Sequence, residues 1–152
     1  SDVEFEPHGP VLSRRLGTAG VCGVRVCGVA GFESLPLWIG GIDDARRIYE
    51  DIVKKDGVDD SARAGAYLGL GLIDLEGEGG KEAAKNALLM FLRVRLVTKD
   101  AWPSLQAEAL YHASQAARKW KGPEYVYIVG RCRGLLFNEY PNSEWAKLAK
   151  SR

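Results

Sequence analysis

Two stretches decide how this chain reads: DDARRIYEDIVKKDG at residues 43–57 and KEAAKNALLMFLRVRLV at residues 81–97. In the first, Ala45, Ile48, Tyr49, Ile52 and Val53 recur at three- and four-residue steps, which puts them on one helix face. Asp43 and Asp44 read as its N-terminal cap, with acidic charge at the positive end of the helix dipole. Lys54 and Lys55 fall in the last turn and Gly57 stops the helix. In the second stretch Ala84, Ala87, Leu88, Phe91, Leu92 and Val94 form the apolar side. The two stretches share a phrase. Ala45, Tyr49 and Ile52 return 42 residues later as Ala87, Phe91 and Val94, and a third copy is read 43 residues further on at Gly130, Gly134 and Phe137. A period in this range marks a stacked array of helix pairs. The small residue admits the partner helix, and the aromatic fills the gap between pairs.

Working outward, Asp59-Asp60-Ser61 caps a helix striped by Ala62, Ala66, Leu68, Gly69, Leu72 and Ile73, which ends in Glu76-Gly77-Glu78-Gly79-Gly80. The turn Asp100-Ala101-Trp102-Pro103-Ser104 caps another, expected over 105–119. Lys121-Gly122-Pro123 breaks the chain, and Pro123 is expected to open a fifth helix running to about Asn138. Pro141-Asn142-Ser143 starts a last short one over 144–150. Residues 42–152 are therefore expected to form an all-α domain of antiparallel helix pairs.

Residues 1–41 differ in kind. They hold eight of the 18 glycines, two of the three cysteines and no lysine. Val3–Phe5 and Val21–Val29 read as short extended pieces in an irregular N-terminal arm, or as sequence that came with a cloned fragment of a larger protein. Ser13-Arg14-Arg15-Leu16 has the look of a twin-arginine export signal, but Arg25 interrupts the apolar stretch that should follow. Cys22 and Cys27 lack the two-residue spacing of a redox pair and have no histidine set beside them, so they read as small buried thiols. No cofactor or metal is implied. A net charge of +1 from 21 Lys+Arg and 20 Asp+Glu gives no field that would select a polyanion. No apolar run reaches the ~18 residues of a membrane span.

The chain from about residue 42 resembles the tetratricopeptide-repeat family. Ala66-Tyr67-Leu68-Gly69 is similar to the close-packing site of that repeat's first helix, and Ala87-x3-Phe91 to its second-helix signature. Ala107-Glu108-Ala109-Leu110-Tyr111, followed by Glu139-Tyr140-Pro141-Asn142-Ser143, is similar to such repeats in bacterial envelope proteins of the β-barrel assembly and Tol–Pal coordinator types. The period of 42–43 departs from the usual 34, the repeat's Trp is missing, and Ser114 stands where Gly is expected. The resemblance implies a right-handed α-α superhelix and a non-catalytic protein- or peptide-binding scaffold. It also points to the bacterial envelope, whereas the unpaired cysteines suit the cytoplasm.

In such a scaffold the groove is lined by the first helix of each pair. The residues expected to bind a partner are Arg63, Tyr67, Tyr111, Gln115 and Arg118, with Arg forks for carboxylates and Tyr for rigid contact area. Catalysis is not expected. His112 and Ser114 are two apart on a helix and point away from each other, and Asp74, Glu76 and Glu78 lack the alternation of a calcium loop. The alternative function is single-stranded nucleic-acid binding through residues 118–133, where Arg118, Lys119, Lys121, Arg131 and Arg133 interleave with Trp120, Tyr125 and Tyr127.

Overall fold

The acidic start of the first helix, the glycines of the second and the prolines before the later ones each set a boundary in the computed structural model. It describes residues 22–24, 37–39 and 42–152. Two three-residue strands, β1 (Cys22–Val24) and β2 (Leu37–Ile39), pair antiparallel with Gly23 opposite Trp38. The expected extended piece at Val3–Phe5 lies outside the described residues, as does Cys27. The rest is six helices: α1 (Ile42–Lys54), α2 (Asp60–Glu76), α3 (Gly80–Val97), α4 (Pro103–Trp120), α5 (Tyr125–Glu139) and α6 (Glu144–Lys150). Residues 42–152 are all-helical. None of these helices is long and apolar enough to cross a membrane.

Local chemistry accounts for most boundaries. Asp59 caps α2 by accepting from the Ala62 N–H at 2.8 Å, and Ser143 caps α6 by accepting from Ala146 N–H at 3.0 Å. The α1 expectation is corrected by one turn position: Asp43 and Asp44 lie inside the first turn, where they meet the dipole without capping it. The start of α4 moves back to Pro103, whose ring suits the first helical position because no N–H is needed there. The start of α5 moves forward from Pro123 to Tyr125, because Glu124 holds a left-handed φ of 59°.

Each helix packs on the next, and α4 also packs on α2 and on α6. The ends that meet set the directions. Arg63 at the start of α2 reaches carbonyls at the end of α1, and the Asp100 N–H after α3 donates to Asp60 at the start of α2, so neighbours run antiparallel. Lys119 at the end of α4 donates to Leu75 O at the end of α2, and Arg95 pairs with Glu139 across the C-terminal ends of α3 and α5. Alternate helices therefore run parallel.

The helices α2 and α4 are central: ten and twelve of their residues are buried, against two in α5. The single stripe expected for α2 is widened because α1 and α3 seat on different sides of it. The Tyr49 ring lies where a Gly69 side chain would be, and the Phe91 ring where a Gly71 side chain would be. A small core of Ala45, Tyr49, Ile52, Ala66, Leu70 and Ile73 joins α1 to α2, and a larger one runs through α2–α6.

The third repeat copy is corrected. Gly130 is exposed with open space around it, and Gly134 has no neighbour where a Cβ would stand. The residues of α5 that turn inward are Cys132 and Leu136, 3% and 0% exposed. They keep the four-residue spacing but fall 45 residues after Ala87 and Phe91. Helix α5 is apolar on several sides (Val126, Val129, Leu135), so its sequence does not single out a face; contact with α4 does.

Candidate functional site

Five residues were expected to share one groove, and the structure separates them. Arg63 is committed to the end of α1: its guanidinium donates to Val53 O and, at 3.0 Å, to Lys55 O. These are carbonyls that a helix C-terminus leaves without partners, so Arg63 acts as a C-terminal cap. Arg63→Met should keep the stem and lose the cap, lowering stability by about 1 kcal/mol. A urea unfolding curve checks this, and an unchanged midpoint would reject the capping role.

Tyr67 is half-buried against the main core, and Arg118 is half-buried near the end of α4. Tyr111 is 5% exposed, which corrects its placing as an open groove anchor. Its ring packs edge-on to His112 at 5.3 Å and tilted on Trp145 at 5.3 Å. The reason is the short helix α6, which covers α4 at this point. Among the described residues, Tyr111 and Gln115 of the five line a common pocket. Its volume is about 430 Å³ and its walls include Glu76, His112, Glu144, Trp145 and Arg152.

The basic and aromatic residues of 118–133 are likewise spread out. Lys119 caps α2 through Leu75 O at 2.6 Å. Arg133 donates to Ala149 O at 3.0 Å, at the end of α6, and lies over the Phe137 ring. Trp120 folds onto Gly122 at the corner, while Tyr127 and Arg131 stay exposed one turn apart.

The His112 imidazole is 8% exposed and its Nε2 lies 3.3 Å from Oε1 of the fully buried Glu108. Burial pushes the imidazole down to about 4, so it is neutral at pH 7. Ser114 Oγ donates back to Tyr111 O at 2.7 Å and takes no part with His112. Asp74 is held by Arg46 at 2.8 Å. Burial pushes the Cys132 thiol up, against a smaller opposing effect of the Arg95 charge. Among the described residues no group of three or more His, Cys, Asp or Glu is placed to hold a metal ion.

A second cleft, of about 700 Å³, opens between the start of α4 and the turn from α5 into α6. Trp102, Pro103, Tyr140, Pro141 and Trp145 form its apolar walls, with Ser104, Asn142, Glu144 and Lys147 among its polar residues. Its volume lies within the ~300–1,000 Å³ of ordinary ligand sites. Sequence reasoning places Trp102 in a capping turn and Tyr140 in a repeat-like phrase, and does not single out Trp145. The signal that could have found the cleft is the pairing of aromatic with proline at two helix breaks, Trp102-Pro103 and Tyr140-Pro141. Glu144 and Trp145 line both the cleft and the His112 pocket, which are therefore neighbours.

No family model, no curated protein and no solved structure matches this chain.

Proposed function

We propose that this domain is a non-catalytic protein- or peptide-binding module built as a right-handed superhelix of tetratricopeptide-like helix pairs. Its binding surface, in this reading, is the cleft at the start of α4 and not the α2–α4 ridge. The observation that carries the proposal is the cleft itself. Two tryptophans, a tyrosine and two prolines converge there from two stretches of the chain, residues 102–104 and 139–147. Large rigid rings that give contact area at small entropic cost are the side chains on which protein interfaces concentrate their energy. The parallel run of alternate helices and the seats of Tyr49 and Phe91 on Gly69 and Gly71 support the repeat architecture.

A displayed library of random peptides tests the reading. Selection on the intact domain should enrich peptides whose binding is lost in Trp102→Ala and in Asn142→Arg. The second variant changes an exposed rim residue and leaves the core alone. Failure to enrich any peptide, or enrichment that survives both substitutions, would reject the cleft as the binding surface.

A further inference from the structure

We infer that the occupant of this cleft is a proline-rich extended segment of a partner protein that carries an arginine or lysine. Its prolines seat among Trp102, Tyr140 and Trp145, and its cation enters the adjoining pocket beside Glu76 and Glu144. The inference rests on the peptide-binding reading above and adds the chemistry of the ligand.

Three observations converge on it. The walls of the cleft are aromatic faces and pyrrolidine rings, and a polyproline helix presents preformed ridges that pack on such surfaces at little ordering cost. Exposed Asn142 and Lys147 carry hydrogen-bond donors on the rim of the same cleft. A polyproline segment makes no internal hydrogen bonds, so its carbonyls are free to accept from those donors.

The third observation is charge. Beyond Trp145 the pocket presents the carboxylates of Glu76 and Glu144 against the single guanidinium of Arg152. The Trp145 ring, only half-buried, lines this pocket as an aromatic surface for a cation. His112 is neutral there and does not repel one. Although much of Glu76 is exposed, partial burial holds its carboxyl above the ordinary carboxylate range, which is a cost that an incoming cation relieves. Because Glu144 and Trp145 belong to both cavities, one extended chain passes from the apolar cleft to the acidic pocket without leaving the surface.

Fluorescein-labelled synthetic peptides of alternating proline and leucine test this by anisotropy. One ends in arginine, a second has that arginine changed to glutamate, and a third has its prolines changed to alanine. The arginine peptide should bind with micromolar affinity, and each of the other two about tenfold more weakly. The Glu76→Gln/Glu144→Gln double variant should melt like the parent and bring the arginine and glutamate peptides to within about twofold of each other. Equal binding of all three peptides, or none by any, overturns the inference. The library separates the two levels: cleft-dependent enrichment of peptides lacking proline or basic residues overturns the ligand chemistry alone, whereas no cleft-dependent enrichment overturns the peptide-binding reading with it.

Discussion

Phe91→Ala is expected to destabilise the domain by about 3–5 kcal/mol. The ring is 1% exposed, lies against the backbone of α2 at Gly71 and stands 5.5 Å from the His112 ring of α4. Truncating it removes a side chain that touches both neighbours of α3 and leaves a cavity between them. Against a total stability of about 5–15 kcal/mol, such a loss is a large share of what holds a domain together. Chemical denaturation followed by circular dichroism would measure it. Leu89→Ala on the same helix is the control, since Leu89 is 47% exposed and should change stability by less than about 0.5 kcal/mol. The reverse substitution probes the same contact. Gly71→Ala places a methyl group against the Phe91 ring and should cost about 1–3 kcal/mol. In Phe91→Leu the penalty of Gly71→Ala should shrink, giving a coupling above about 0.5 kcal/mol in a double-mutant cycle. Additive effects would show that the ring does not sit on that glycine.

Acid should weaken the domain through His112. Its folded pKa is depressed from 6.5 to about 4 because the ring is buried among Phe91, Tyr111 and Trp145. Between those values the unfolded chain carries the proton and the folded chain does not. The unfolded state therefore binds more protons, so stability rises with pH across this window and falls as the pH is lowered. The stabilisation is whole above about 6.5 and is lost as the pH falls toward 4, by roughly 3 kcal/mol if no other group changes. Glu108 lies against the imidazole, and Glu76 and Glu144 share its pocket, so the comparison must be made with a variant that removes only the imidazole. Melting temperatures of the parent and of His112→Gln, taken from pH 7 to pH 4, supply it. The parent should lose stability steeply below pH 6.5, and the variant should show a shallower slope over the same range. Parallel curves would mean that the histidine titrates normally.

The correct and incorrect expectations divide along a physical line. Boundaries set by local chemistry were readable. Asp59 and Ser143 cap their helices with their own side chains, and Gly57 and Gly80 take the positive φ that ends or begins a segment. The Ala45–Tyr49 and Ala87–Phe91 pairs were readable too, because each places a small residue and an aromatic four apart on one helix face. The same argument failed in α5, where apolar residues occur all round and the small residues Gly130 and Gly134 turned out to face outward. It also understated α2 and α4, whose burial exceeds one stripe because each is covered by several helices at once.

The site shows this division most clearly. Residue type alone suggested Arg63, Lys119 and Arg133 as recognition cations, yet each meets a helix-end carbonyl left over by the backbone geometry of another helix. Which carbonyl lies within reach is decided by how the helices are stacked, and no local pattern carries that information. Tyr111 was expected at an open surface because nothing near it in sequence shows that α6, more than thirty residues on, returns to cover it. The cleft is the converse case. Trp102 and Tyr140 were visible as aromatics at helix boundaries, but their convergence with Trp145 depends on α4, α5 and α6 meeting at one end. The sequence by itself determined, to within about two residues, where helices begin and stop, and which residues of α1 and α3 are buried, because these follow from interactions within a few residues. Only the tertiary structure decided which cations are spent on caps, which tyrosine is covered and where aromatics gather, because those contacts join residues that the chain keeps far apart.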